Sequence, residues 1–254
     1  MLLEYYYSRN FKASLKPDHT IVTEADLIVD NYLNRSVRAR YPQDWLLSEE
    51  LQPILEVISS PEKETEPPAI WVIDPLDGTT NFALGLPYWG VLIARLVNGI
   101  PELAVSYFPV LEELYIAQKG EGATMNGHRI QVCTPNPKNT LPVFACCSRT
   151  FREYDVQVPY KTRTFGSSAY SFSLVARGLA VLGMEVNPKI WDISGAWLLV
   201  QEAGGIIDTL DGSQPFPIRL TAAHSSRPYP ILACATESLW TRWRPKIKPR
   251  NQVI

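Results

Sequence analysis

The chain has 254 residues, 46% of them hydrophobic, with a formal charge of −2 and a pI near 6.0. That suffices for one large domain or two modest ones, and it leaves no basic face for nucleic acid or an anionic membrane. No apolar run reaches the length of a membrane span, and "MLLEYYYSRNF" lacks the segments of a secretory signal, so the expected location is cytoplasmic.

In chain order, "TEADLIVDNYLNRSVRARY" carries Ala25, Ile28, Val29, Tyr32, Leu33 and Val37 at helical spacing behind Thr23. The spacing predicts a helix of about four turns, capped by Thr23, with Asp26 in its first turn. "LLSEEL" then sets Glu49 and Glu50 after a short apolar run. "SSPEKETEPP", Ser59 to Pro68, reads as a solvated spacer feeding the strand Ile70-Trp71-Val72-Ile73. "YWGVLIARLVNGIPELAVSYFPVLEELYIAQKG" predicts three antiparallel strands, with a tight turn at Asn98-Gly99 and a second reversal from Pro109 to Glu112.

The Pro/Asn-rich stretch Thr134 to Pro142 marks a change of character. We divide the chain there into residues 1–138, an α+β unit with the antiparallel sheet, and residues 139–254, an α/β unit in which short apolar strands alternate with helices. Cys133, Cys146, Cys147 and Cys234 show no C-x-x-C spacing and read as reduced thiols. His19, His128 and His224 are isolated, "GGIIDTLDGS" is no dinucleotide fingerprint, and the basic end "TRWRPKIKPRNQVI" reads as a solvated tail.

The stretch that carries chemistry is "WVIDPLDGTTNF". Asp74 and Asp77 flank a Pro75-Leu76 turn that aims two carboxylates into one volume at a strand end. Like charges so close repel unless a cation or a proton lies between them, and Mg²⁺ favours such oxygen ligands. Gly78 bends the chain, and Thr79-Thr80-Asn81 opens a helix whose free N–H groups suit a phosphate oxygen. A lone D-x-x-D is more often a helix-capping turn. Here the hydroxyls behind it, and Asp26, Glu49, Glu50 and Asp192 elsewhere, favour the metal.

The series K-P-D-x-T-x-V-T-E-A-D (Lys16 to Asp26), E-E, D-P-L-D-G-T-T-N-F (Asp74 to Phe82), W-D-I-S-G-A (Trp191 to Ala196) and E-A-G-G (Glu202 to Gly205) resembles the inositol monophosphatase family over nearly the whole chain. The resemblance implies a layered α/β/α/β/α sandwich of the inositol monophosphatase/fructose-bisphosphatase type, with the active site between the two halves. It implies a Mg²⁺-dependent phosphomonoesterase acting by metal-activated water attack, sensitive to Li⁺, and a homodimer whose partner molecule is a small phosphate ester.

By position, the resemblance places Glu49, Asp74, the carbonyl of Leu76 and the Thr79 hydroxyl around a first Mg²⁺. Asp74, Asp77 and Asp192 surround a second, and a third ion stands near Glu49, so two or three ions are expected. Asp26 with Thr79 would deprotonate the water, with Glu49 the third catalytic residue. Asp77, Gly78, Thr79 and Thr80 would grip phosphate. Gly166, Ser167, Ser168, Ala169, Glu185 and Asp192 would line the alcohol pocket. Inositol 1-phosphate is the leading substrate, with histidinol phosphate or another sugar or nucleotide phosphate as alternative, and a regulatory scaffold that keeps the fold as the non-enzymatic one. Two features depart from the family pattern: Ser48 stands where a glycine is usual before the paired glutamates, and the segment before Lys16 is short for the first helix.

Overall fold

The computed structural model describes residues 1–16, 20–50, 69–133, 142–218 and 227–250. The expected spacer Ser59 to Pro68, residues 134–141 of the expected connection, His19, His224 and the last four residues of the basic end lie outside the described residues.

The chain opens with helix α1 (Leu2–Ser8) and an antiparallel pair, β1 (Ala13–Leu15) with β2 (Ile21–Thr23). Helix α2 (Glu24–Arg40) starts where Thr23 predicts. Thr23 is extended, and its N–H donates to Asp26 Oδ2 at 2.8 Å in a capping box, so the carboxylate satisfies a donor that the first helical turn leaves free. The buried face of α2 differs from the expected stripe. Ala25, Val29 and Val37 are buried, but Ile28 and Tyr32 are 37% and 60% exposed, and Asp26, Asp30 and Asn34 take the inward places. Hydrogen bonds compensate part of the cost of burying those polar groups.

A seven-stranded sheet follows in chain order: β3 (Trp45–Ser48), β4 (Ile70–Asp77), β5 (Gly90–Val97), β6 (Ile100–Phe108), β7 (Glu113–Gln118), β8 (Gly122–Met125) and β9 (His128–Ile130). β3 and β4 are parallel and the other neighbours antiparallel. Helix α3 (Thr79–Leu84) joins β4 to β5. The β5–β6 turn is the two-residue Asn98-Gly99, both at positive φ (51° and 74°), the conformation whose twist matches a hairpin.

Among the described residues the further elements are β10 (Val143–Cys146), α4 (Thr150–Glu153), β11 (Tyr154–Val156), β12 (Lys161–Arg163), α5 (Ser168–Ala176), β13 (Ala180–Glu185), α6 (Ile190–Glu202), β14 (Ile206–Thr209), β15 (Ile231–Cys234), α7 (Glu237–Trp243), a 3₁₀ turn (Arg244–Lys246) and β16 (Ile247–Pro249). Five of these strands form a mixed sheet in the order β12-β10-β13-β15-β14, parallel across β12, β10 and β13 and antiparallel at β15.

Helices α5 and α6 lie between the two sheets. Their Phe172, Ile193 and Leu199 share one core with Leu92, Leu96 and Phe108 of the first sheet and Ala145 and Ile231 of the second. Removing a ring such as Phe172 from such a core costs about 3–5 kcal/mol. Outside the first sheet, Tyr6 of α1 and Ala25 and Val29 of α2 pack with Leu76, Phe82 and Trp89. Leu239 and Trp243 of α7 cover Phe144, Leu182 and Met184 on the second. The result is the expected five-layer α/β/α/β/α sandwich. A strand covered on both faces has no solvent-facing side, which is why β4 is buried at every residue and its first four, Ile70 to Ile73, read as a continuous apolar run.

Candidate active site

Asp74 and Asp77 do not flank a turn. Both belong to β4, whose register against β5 shifts between them: Asp74 faces Leu92 and Asp77 faces Gly90, so three steps on one strand oppose two on the other. Side chains alternate along a regular strand, and residues three apart would point to opposite faces. The extra residue of the bulge restores a common side. Proline at 75 suits it, because its ring removes a donor that the broken ladder leaves unused.

Asp192, the third residue of α6, completes the group. Carboxylate oxygens of Asp74, Asp77 and Asp192 lie within 4.8 Å of one another. Asp74 is buried, Oδ1 accepting the Leu76 N–H at 2.9 Å and Oδ2 having no partner among the described residues. Burial, then the charges of Glu49, Asp192 and Asp77, hold its pKa well above the usual carboxylate range. Asp192 is raised likewise by burial, Asp77 and Glu49, although its carboxylate caps the Lys189 N–H. Asp77 is pushed up to about 6 by burial despite hydrogen bonds from the Ser167 hydroxyl and the Ser168 and Ala169 N–H groups, the latter two at 3.2 Å. Three hard oxygen donors, one with an orphaned buried oxygen, fit a divalent cation such as Mg²⁺.

A second group stands beside the first. Asp26 Oδ2 accepts the N–H and hydroxyl of Thr23, and Oδ1 accepts the Thr79 hydroxyl at 3.1 Å. Burial raises the Asp26 pKa, the Thr23 hydrogen bonds oppose it, and the Glu50 charge adds to it. Thr79 is the first residue of α3, behind Gly78 at φ +83°, where a Cβ would come within 2.7 Å of the Tyr88 carbonyl oxygen. Only glycine fits there. Thr80 is exposed at the same helix start.

Glu49 follows β3 and takes its position from a backbone bond, its N–H donating to the Ile73 carbonyl at 3.2 Å. Its carboxylate is not free: Lys16 Nζ donates to Glu49 at 2.7 Å and to Glu50 at 2.6 Å. Burial still dominates and raises the Glu49 pKa. No local spacing signals this clamp, since Lys16 lies 33 residues before Glu49.

The expected alcohol pocket converges on Asp77. Ser167 caps α5, accepting the Tyr170 N–H at 3.1 Å while its hydroxyl donates to Asp77. Gly166, at φ +72°, leaves room for Asn81, whose amide donates to the Phe165 carbonyl at 2.7 Å and the Tyr88 carbonyl at 2.6 Å. Asn81 thus ties this loop to α3, a role the sequence did not disclose. Glu185 ends β13, buried, and is pushed up to about 8 by burial, with a hydrogen bond from Ser171 opposing and Asp77 and Asp192 adding repulsion.

Comparison with known proteins gives the family. A model of the inositol monophosphatase family matches residues 1–243. The chain is 33% identical over 228 residues to a histidinol-phosphatase of Chlorobaculum parvum, covering 84% of this chain and 82% of that protein. It is 32% identical over 215 residues to the Nus factor SuhB of Escherichia coli, covering 81% and 78%. The crystal structure of the extragenic suppressor protein SuhB of Bartonella henselae superposes with a TM-score of 0.76 at 25% identity, over 96% of this chain and 92% of that one. An acidic centre on a β4 bulge, in a five-layer sandwich, with the family's sequence pattern along nearly its entire length, makes this chain a member of the inositol monophosphatase family of phosphatases.

Proposed function

We propose that the chain is a Mg²⁺-dependent phosphomonoesterase of small polyol phosphates, with inositol 1-phosphate the leading substrate. The observation that carries this reading is the meeting of Asp74, Asp77 and Asp192 within 4.8 Å. Glu49, Asp74, the Leu76 carbonyl and the Thr79 hydroxyl would surround one cation and Asp74, Asp77 and Asp192 a second, with Glu49 reaching a third. When bound, such ions acidify water and neutralise charge on the phosphoryl group.

The chain's own groups then have separate tasks. Thr79 Oγ1 takes a proton from the attacking water while passing its own to Asp26 Oδ1, and the raised pKa of Asp26 makes that carboxylate a better acceptor. N–H groups of Gly78, Thr79 and Thr80 grip phosphate oxygens. Glu185 and the loop Gly166 to Ala169 meet the alcohol, Glu185 accepting ring hydroxyls. This assigns the site to the junction of residues 1–138, which supply Asp26, Glu49, Asp74 and Asp77, and residues 139–254, which supply Glu185 and Asp192.

A second reading within the class is histidinol phosphate, favoured by the buried Glu185 carboxylate, which would pair with the substrate's ammonium group, and by the similarity to a histidinol-phosphatase. Phosphate release from inositol 1-phosphate, histidinol phosphate, fructose 1,6-bisphosphate and phosphoadenosine phosphate, with and without Mg²⁺, decides between them. A preference for the amino alcohol promotes the second reading. Silence across the panel would favour a scaffold that keeps only the fold.

A further inference from the structure

Behind the site, in the layer between α2 and the first sheet, sits a polar group that the reaction as described does not use. Asp30 and Ser48 are each 1% exposed and Asn34 is 4% exposed. The Ser48 hydroxyl donates to Asp30 Oδ1, the Asn34 amide donates to the same oxygen at 3.1 Å and to the Asp30 carbonyl at 2.8 Å, and Asp30 Oδ2 has no partner among the described residues. A buried carboxylate satisfied on one side only is a poor device for stability, because desolvation outweighs what its hydrogen bonds return. Its position suggests another use.

Asp30 lies one turn after Asp26 on α2, about 6 Å along the axis. Ser48 immediately precedes Glu49. The apolar contacts of α2 through Ala25, Val29 and Val37 hold the helix on the sheet without fixing where along it the helix stops, since apolar burial is non-directional. The Ser48–Asp30 hydrogen bond is directional and joins the two elements one turn from Asp26 and one residue from Glu49.

We propose that Asp30 and Ser48 form a brace that sets the separation of the proton-accepting carboxylate Asp26 from the cation ligand Glu49. They are positioning residues that touch neither substrate nor ion, and the proposal rests on the functional reading above. Misplacement by about 1 Å at a reacting centre costs roughly a hundredfold in rate.

The test begins with the wild-type chain: Mg²⁺ uptake by calorimetry, and turnover of inositol 1-phosphate and of histidinol phosphate. Ser48→Ala and Asp30→Ala are then measured beside Asp30→Asn, which keeps a carbonyl oxygen for the Ser48 hydroxyl. The brace predicts that the two alanine variants lose roughly tenfold or more in kcat and in Mg²⁺ affinity, with KM little changed, and that Asp30→Asn recovers most of both. Wild-type uptake with alanine variants that bind and turn over normally, differing only in unfolding temperature, overturns the brace alone. An Asp30→Asn chain as impaired as Asp30→Ala overturns it in favour of a charge effect. A wild-type chain that takes up no Mg²⁺ removes the functional reading and the brace with it. Should Ser48→Ala fail to fold, the two Asp30 variants carry the comparison.

Discussion

The Thr79 hydroxyl lies 3.1 Å from Asp26 Oδ1 and 2.9 Å from the Leu76 carbonyl, so one hydrogen faces two acceptors. Which acceptor it serves decides whether Thr79 acts with Asp26 or merely closes the turn from β4 into α3. A water bound at Thr79 that gives up a proton requires the first arrangement.

Loss of either partner therefore has a defined signature. Asp26→Asn and Thr79→Val should each lower kcat by about 10²–10⁴ while Mg²⁺ uptake persists, since neither belongs to the Asp74, Asp77 and Asp192 group. The double variant should be no worse than the worse single one, because the two act as a unit. Asp26→Asn should also lower the unfolding temperature, as it weakens the Thr23 cap by about 1 kcal/mol. Additive losses in the double variant would rule out the relay.

Metal-free stability should depend on pH in an unusual direction. Asp77 is held at about 6 and Glu185 at about 8, with Asp74 and Asp192 well above the usual range. Between the ordinary and raised pKa values the folded chain binds more protons than the unfolded one, so stability falls as pH rises. In a chelator, the unfolding temperature should be highest at and below about pH 4 so far as these groups decide it, and decline from there through pH 8. Saturating Mg²⁺ should flatten the decline by countering the repulsion. Thermal melts at stepped pH, with and without Mg²⁺, check this, and a metal-free curve that climbs from pH 5 to 8 would contradict it.

The elements that were legible carry local signals. Thr23 and Asp26 announce α2 within four residues, Asn98-Gly99 announces its hairpin, and the long helices and buried strands have a clear period or length. The short strands β1, β8, β9, β11, β12 and β16 have three or four residues each, too few to show any period. Ile28 and Tyr32 sit at helical spacing yet face outwards, because hydropathy cannot foresee that Asp30 and Asn34 will be buried as hydrogen-bonded partners. In the site, the acidic residues were readable from their motifs. Their handling was not: a bulge rather than a turn separates Asp74 from Asp77, and Lys16, Ser167 and Asn81 act on partners 33, 90 and 84 residues away.

Neutralising the two aspartates of β4 should have different consequences. Asp74→Asn removes a charge whose second oxygen has no partner, and whose neighbours Glu49, Asp192 and Asp77 repel it. The metal-free variant should melt higher than wild type near pH 8, being more stable by about 1–2 kcal/mol, and should lose the stabilising response to Mg²⁺. Asp77→Asn also relieves repulsion but loses acceptor capacity for the Ser167 hydroxyl and the Ser168 and Ala169 N–H groups, so its gain should be smaller or absent. Both should remove most activity. Paired melts in chelator decide the point, and an Asp77→Asn variant that gains more than Asp74→Asn would show that hydrogen bonding, rather than charge, is secondary at this position.

Lys16 offers a test of the outer edge of the site. Burial alone would lower its pKa, but the Glu49 and Glu50 charges and hydrogen bonds more than reverse this, so the ammonium stays charged at any pH where the protein is folded. It is therefore a resident cation on Glu49, and an incoming divalent ion must share that carboxylate with it. Lys16→Met keeps much of the apolar stem while removing the charge. Without metal, Glu49 and Glu50 then repel each other unscreened, and stability should fall by about 1 kcal/mol, a modest figure because the Lys16 and Glu49 side chains are 19% and 22% exposed and water shares the screening. With Mg²⁺, the balance reverses: the ion meets an uncompensated Glu49 and should bind several-fold more tightly, an effect that shrinks as salt rises. Titrating the unfolding temperature with Mg²⁺ for both chains separates the two effects. If Lys16→Met instead weakens Mg²⁺ binding at low salt, Lys16 holds Glu49 in place for the ion rather than competing with it.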